Sequence, residues 1–232
     1  IDMNKADRLS DFDHPDVRNK ALCLTQDKPT QIEKISSIFH FVRDSILFGF
    51  PPKWDELKAS ETLHYGIGYC TPKATLFHAL CQSVDVPSRL HTGLIKIEVM
   101  RGVLPNFAFH FLPETGCHVW IEIKQDNHWE PIDSYINDKP FYQQALNRLQ
   151  ACSWMNGYSI SEAKGKSSCE FNFGKIGFVQ MSTVVEDHGV WTDFGDYMRS
   201  DKYVQMNEFQ SFSYSLVLRR IANRNVEKIR RD

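Results

Sequence analysis

Residues 66–89 read Gly66-Ile67-Gly68-Tyr69-Cys70-Thr71-Pro72-Lys73-Ala74-Thr75-Leu76-Phe77-His78-Ala79-Leu80-Cys81-Gln82-Ser83-Val84-Asp85-Val86-Pro87-Ser88-Arg89, and the fold turns on three changes of character inside them. The two leading glycines allow the backbone a tight approach to a ligand. Thr71 then predicts an N-cap, with Pro72 at the first helical position, where its missing N–H costs nothing. Ala74, Phe77, Leu80, Cys81 and Val84 recur at helical spacing and predict a buried face. Asp85-Val86-Pro87 stops the helix, and beyond it the period falls towards two. Strands are expected over residues 89–98, 119–124 and 129–135. Helices followed by an antiparallel sheet define an α+β class.

Upstream, Thr30-Gln31-Ile32-Glu33 has the form of a capping box. Ile32, Ile35, Phe39, Val42 and Ile46 then mark one face of an amphipathic helix that ends before Gly49 and Pro51-Pro52. A short helix is expected after His14-Pro15, and a helical turn over residues 60–63. Downstream, residues 141–152 predict a helix, followed by a loop-rich stretch and a long helix over 208–229, apolar at Tyr214, Val217, Leu218, Ile221 and Ala222. Its basic end, with Arg219, Arg220, Arg224, Lys228, Arg230 and Arg231, complements the helix dipole.

The 232 residues are 42% hydrophobic and 24% charged, enough to build a core without disulfide or metal staples. A net charge of −2 gives no general attraction to nucleic acid or anionic lipid. The longest apolar runs, such as 46–48 and 215–218, are too short to span a bilayer. The first residues show no apolar targeting segment, and the six cysteines form no C-x-x-C pair. Mostly reduced, buried cysteines and a cytoplasmic location are therefore expected. His64, His78, His91 and His110 lack ligand spacing, so neither a metal nor another cofactor is expected.

Three side chains carry the candidate chemistry. Cys70, at a helix N-terminus, meets unpaired N–H groups that favour a thiolate; the alternative is a buried structural cysteine. His118 opens the strand His118-Val119-Trp120-Ile121-Glu122-Ile123, and Trp129-Glu130-Pro131-Ile132-Asp133 follows the polar turn Asp126-Asn127. With a two-residue hairpin loop, paired residue numbers sum to 253, placing His118 opposite Tyr135 and Trp120 opposite Asp133. All four then share a face, with Asp133 the diagonal neighbour of His118 at roughly 7–8 Å between backbones. A loop one residue longer or shorter would send Asp133 to the other face. Thiolate, imidazole and carboxylate are the parts of a thiol acyl-transfer device. Trp54 is a candidate second donor to an oxyanion, or else an anchor for its loop. Trp120 is a candidate wall of the site, or else core.

These motifs, in this order, resemble the transglutaminase-like core. Its members share a G-x-C that opens an Ala- and Leu-rich helix, a G-I-P-A-R-type turn, an H-x-W-x-E strand and a W-x-x-x-D return. Here the matches are Gly68-Tyr69-Cys70, Val86-Pro87-Ser88-Arg89, His118 to Glu122 and Trp129 to Asp133, and the resemblance runs from about residue 30 to 135. It implies a papain-like fold with Cys70 as nucleophile, His118 as base and Asp133 as orienting acid. Asp85 stands where the family usually has Gly, and Ser134 where Pro is common after the Asp. No acidic calcium loop is found. The expected organisation is an N-terminal segment (1–29), a catalytic core (30–139) and a C-terminal extension packing on it (140–232). The implied activity is a Cys-thioester enzyme acting on an amide carbonyl of a peptide or protein substrate, with release to water or to a primary amine. A non-catalytic binding module and an arylamine acetyltransferase-like enzyme are the alternatives, the latter lacking its usual R-G-G-x-C lead-in.

Overall fold

The computed structural model describes residues 8–171, 178–204 and 218–232. Helix α1 (Pro15–Thr25) begins with proline in its first turn and His14 as cap. Helix α2 (Gln31–Asp44) begins with the expected capping box: Thr30 Oγ1 accepts from the Glu33 N–H at 3.3 Å, and Glu33 Oε2 accepts from the Thr30 N–H at 3.0 Å. Strand β1 (Leu47–Phe48) follows, then helix α3 (Ala59–Tyr65) and strand β2 (Ile67–Gly68), which pairs in parallel with β1. Gly66 closes α3 in the left-handed region, at φ +65°.

Helix α4 (Cys70–Gln82) starts at Cys70, with Tyr69 as its extended cap residue. The expected Thr71 cap is not formed, because the Thr71 hydroxyl is spent on the Asp55 carboxylate. Pro72 still lies in the first turn, where a missing N–H is harmless. Gly68 answers to packing: a Cβ there would lie 3.0 Å from Lys73 Cγ and 3.2 Å from Pro72 Cγ. Where one apolar face was expected, all of residues 70–81 are buried, Lys73 and His78 included. The reason is enclosure, since α1, α2 and α3 pack against α4 as well as the sheet. Asp85, after the helix, has φ 58°, the conformation that glycine supplies more cheaply.

Strands β3 (Ser88–Lys96), β4 (Thr115–Gln125) and β5 (His128–Ile132) follow. Next come helix α5 (Lys139–Ala151), the small hairpin β6 (Asn156–Gly157) and β7 (Ile160–Ser161), strand β8 (Val184–Trp191), and helices α6 (Phe194–Met198) and α7 (Arg219–Arg231). The main sheet has the antiparallel order β5-β4-β3-β8. The β4–β5 register is the one read from sequence, from Gln125↔His128 to Ile121↔Ile132. Asp126 and Asn127 take φ of 46° and 67°, as a two-residue hairpin loop with the sheet's twist demands. The ladder stops at Ile132, so the expected Trp120–Asp133 and His118–Tyr135 pairs are not made; the chain turns there, with the Ile136 N–H donating to the Asp133 carbonyl at 3.1 Å.

Helix α7 packs on α5, and the seam is fastened by charge. Asp138, fully buried, caps α5 by accepting from the Phe141 N–H and also accepts from the Phe48 N–H at 2.9 Å. Arg230 grips the same carboxylate through Nε at 3.0 Å and Nη2 at 2.8 Å. Arg230 is thus more than a dipole partner for its helix. Beside it, Lys73 Nζ donates to the Ile136 carbonyl at 2.8 Å, and burial pulls its pKa down to about 7 although Asp138 and Asp44 oppose the shift. Residues 208–217 of the expected C-terminal helix, with Tyr214 and Val217, lie outside the described residues. Among the described residues no helix is long and apolar enough to cross a membrane.

Candidate active site

Cys70 occupies the first position of α4, 8% exposed, where the unpaired N–H groups of the helix end present partial positive charge to the sulfur. His118 lies near the start of β4, paired across the sheet with Gly93 of β3. Asp133 follows the end of β5. His118 and Asp133 are both fully buried, and His118 Nε2 lies 3.6 Å from Asp133 Oδ2, close enough for charge attraction though longer than a hydrogen bond. Burial alone would push the imidazole pKa down. Contacts with Asp133 and Cys70 outweigh it and hold His118 up at about 9. At neutral pH the imidazole is therefore charged, between a carboxylate and a sulfur.

The carboxylate of Asp133 has further partners. It accepts from three consecutive backbone N–H groups, those of Val179 at 2.7 Å, Gln180 at 2.8 Å and Met181 at 2.9 Å. These bonds compensate its burial and tie the chain beyond residue 178 to the site.

Trp120 is buried and its indole stacks on His118, with ring centroids 5.7 Å apart and 29° between planes. Trp54 lies elsewhere in the cluster: its side chain hydrogen-bonds Asp55, and its ring packs 5.3 Å from that of Tyr69.

Sequence reading missed Asp55. This carboxylate, 4% exposed, accepts from Tyr69 Oη at 2.8 Å and Tyr203 Oη at 2.9 Å, and Thr71 and Trp54 also hydrogen-bond it. Burial raises its pKa and these hydrogen bonds oppose the rise. Tyr69 and Thr71 flank Cys70, so one buried acid fixes the Cys70 segment from both sides. The available signal was the pair of polar residues bracketing Cys70, which needs a buried partner once α4 is enclosed. Burial, with Asp55 and Cys70 nearby, also pushes the Cys117 thiol far up.

All six cysteines are free; Cys70, Cys81 and Cys169 are buried, Cys117 is half-buried, and Cys23 and Cys152 are exposed. Among the described residues no group of three or more His, Cys, Asp or Glu side chains could hold a metal ion. Clefts of about 510 and 890 Å³ are lined by other residues, the first beside Asp138 and Arg230 and the second beside Lys96, Phe109 and Trp154. Neither cleft is lined by Cys70, His118 or Asp133.

A helix presenting a cysteine to a histidine–aspartate pair on an antiparallel hairpin defines a class of cysteine-dependent enzyme folds. The sequence matches the transglutaminase-like superfamily over residues 18–134, about half its length, and the chain belongs to that superfamily. Two solved structures resemble it. A candidate cysteine protease from Cytophaga hutchinsonii is 18% identical, with a TM-score of 0.43, over 54% of this chain and 38% of that one. A candidate protease from Parabacteroides distasonis is 14% identical, with a TM-score of 0.37, over 56% of this chain and 26% of that one. The chain thus spans well under half the length of either. Comparison with curated proteins finds no match.

Proposed function

We propose that the protein is a thiol enzyme that opens an amide carbonyl, of a peptide bond or a glutamine side chain, through a thioester on Cys70. The observation that carries this reading is the fully buried imidazole of His118, whose Nε2 lies 3.6 Å from the Asp133 carboxylate and whose pKa both Asp133 and Cys70 raise. The Cys70 thiolate attacks the carbonyl carbon, and the oxyanion meets the free N–H groups at the start of α4. His118 gives its proton to the departing amine or ammonia as the C–N bond breaks, leaving an acyl thioester. Water or a primary amine then attacks the thioester while His118 takes a proton back, releasing a carboxylate or a new amide. Asp133 keeps the imidazole in the tautomer this cycle needs.

The decisive measurement has two stages. Brief iodoacetamide treatment of the native chain, read by mass spectrometry near neutral pH, is expected to label Cys70 ahead of Cys23 and Cys152, although those two are exposed and Cys70 is not. His118→Ala is expected to slow that labelling, because the thiolate loses its cation. Equal rates at Cys70 and Cys152 would refute the activated thiol. Incubation with glutamine-containing peptides and a labelled primary amine then separates the reactions: a gain of amine means transfer, loss of ammonia alone means amidase, and chain cleavage means peptidase. No change with any peptide would count against catalysis.

A further inference from the structure

His91 has no part in the mechanism above, yet it anchors the wall of the site. It faces Trp120 in the β3–β4 register, and the two rings stack with centroids 4.3 Å apart and 23° between planes. Trp120 stacks in turn on His118. The polar atoms of those last two rings, Trp120 Nε1 and both His118 nitrogens, have no hydrogen-bond partner among the described residues. Packing and charge therefore set their planes.

The His91 ring, by contrast, is pinned at both ends. Its Nδ1 lies 2.7 Å from Glu122 Oε1 of β4, and its Nε2 lies 2.7 Å from Asp187 Oδ1 of β8. Carboxylates only accept, so both ring nitrogens carry hydrogen and His91 is an imidazolium. Burial works against that charge and the two carboxylates overcome it, raising the His91 pKa. Glu122 is itself steadied by Arg89 of β3, whose Nε donates at 2.6 Å and whose guanidinium lies 4.1 Å over the Trp129 ring. Lys202 acts on Asp187 from beyond α6.

We infer that His91 is a positioning residue for the reaction: clamped between Glu122 and Asp187, its imidazolium fixes the plane of the Trp120 indole, and the indole fixes the plane of His118. The inference rests on the proposed pairing of Cys70 with His118. It gives β8, which lies outside the matched family segment, a part in the chemistry, since Asp187 is half of the clamp.

The test compares His91→Gln, His91→Arg and Asp187→Asn in the full chain by two readouts: the rate of Cys70 alkylation by iodoacetamide, and the titration of the His118 ring followed by nitrogen-15 NMR. His91→Gln is expected to slow alkylation at pH 7 about threefold to tenfold, the loss of one half-buried stacked cation. It should also move the His118 midpoint down from about 9, as water enters past a loosened indole. His91→Arg keeps charge, donors and stacking, and should restore both readouts. Asp187→Asn, at an exposed side chain, should give a smaller change of the same sign and covers the case in which His91→Gln fails to fold. If His91→Gln and Asp187→Asn leave alkylation and the His118 midpoint unchanged while Cys70 of the wild type stays the fastest thiol, the clamp is wrong and the proposed function stands. A lowered melting temperature with neither readout moved would mark a purely structural role and also overturn it. A wild-type Cys70 no faster than Cys23 would remove the proposed function, and this inference with it.

Discussion

The seam around Asp138 and the crevice around His118 bury polar groups equally deeply and treat them in opposite ways. At the seam, the oxygens of Asp138 receive the N–H groups of Phe48 and Phe141 and both arms of Arg230. Nearby, Arg43 spends its guanidinium on Asp44, the Cys169 carbonyl and Glu170. In the crevice, His118 Nδ1 and Trp120 Nε1 have no partner among the described residues, and the Asp133 contact is too long for a hydrogen bond. A saturated cluster fastens elements together. An unsaturated one costs stability and is tolerated where its unused donors and acceptors have another task.

The largest effect that sharpens this contrast is expected at the seam. Asp138→Ala strips the half-buried Arg230 of its buried carboxylate, leaves the Phe48 and Phe141 N–H groups without their acceptor, and should cost about 3–5 kcal/mol in urea unfolding, with Cys70 alkylation of the remaining folded molecules unchanged. A parallel loss of thiol reactivity would mean that seam and crevice are one unit.

A second test uses protons. His118 has its folded pKa raised to about 9 from 6.5, so its stabilisation is complete below pH 6.5 and lost as pH rises through 9. Lys73 has its folded pKa lowered to about 7 from 10.5, so the unfolded chain holds the extra proton and stability rises between those values. The two slopes oppose each other between pH 7 and 9. Lys73→Met should unmask a decline on the order of 3 kcal/mol across pH 6.5–9 in denaturation series, and a flat profile in that variant would contradict the charged His118.

The smallest expected effect has the other sign. Thr75 is buried in α4 and its hydroxyl has no partner among the described residues, so Thr75→Val should leave stability unchanged or raise it by up to about 1 kcal/mol. Clear destabilisation in a thermal melt would show that the hydroxyl is used.

Local rules carried the sequence reading furthest where both partners are close in the chain. The Thr30–Glu33 capping box and the two-residue loop at Asp126-Asn127 formed as read, and the loop fixed the β4–β5 register. The register could not show where the strand would end, because Asp133 leaves the ladder to meet residues 179–181, which are distant in sequence. Strand β8 falls in the stretch after residue 152 expected to be rich in loops, where Val184-Val185-Glu186-Asp187-His188-Gly189 shows no clear alternation. It is an edge strand with irregular register against β3, and such strands show little alternation. Asp55 was invisible for a similar reason. Its donors come from residues 54, 69, 71 and 203, and only the folded chain gathers them.

The three amides that seat Asp133 have a consequence for the order of events in synthesis. A growing chain that has emerged as far as residue 134 already holds sulfur, imidazole and carboxyl group, the whole of the matched family segment. Yet the carboxyl group among them has no seat until the amides of residues 179–181 arrive. The late-made part of the protein thus seats the acid of the early-made part, so on the proposed function a half-finished chain lacks an assembled site.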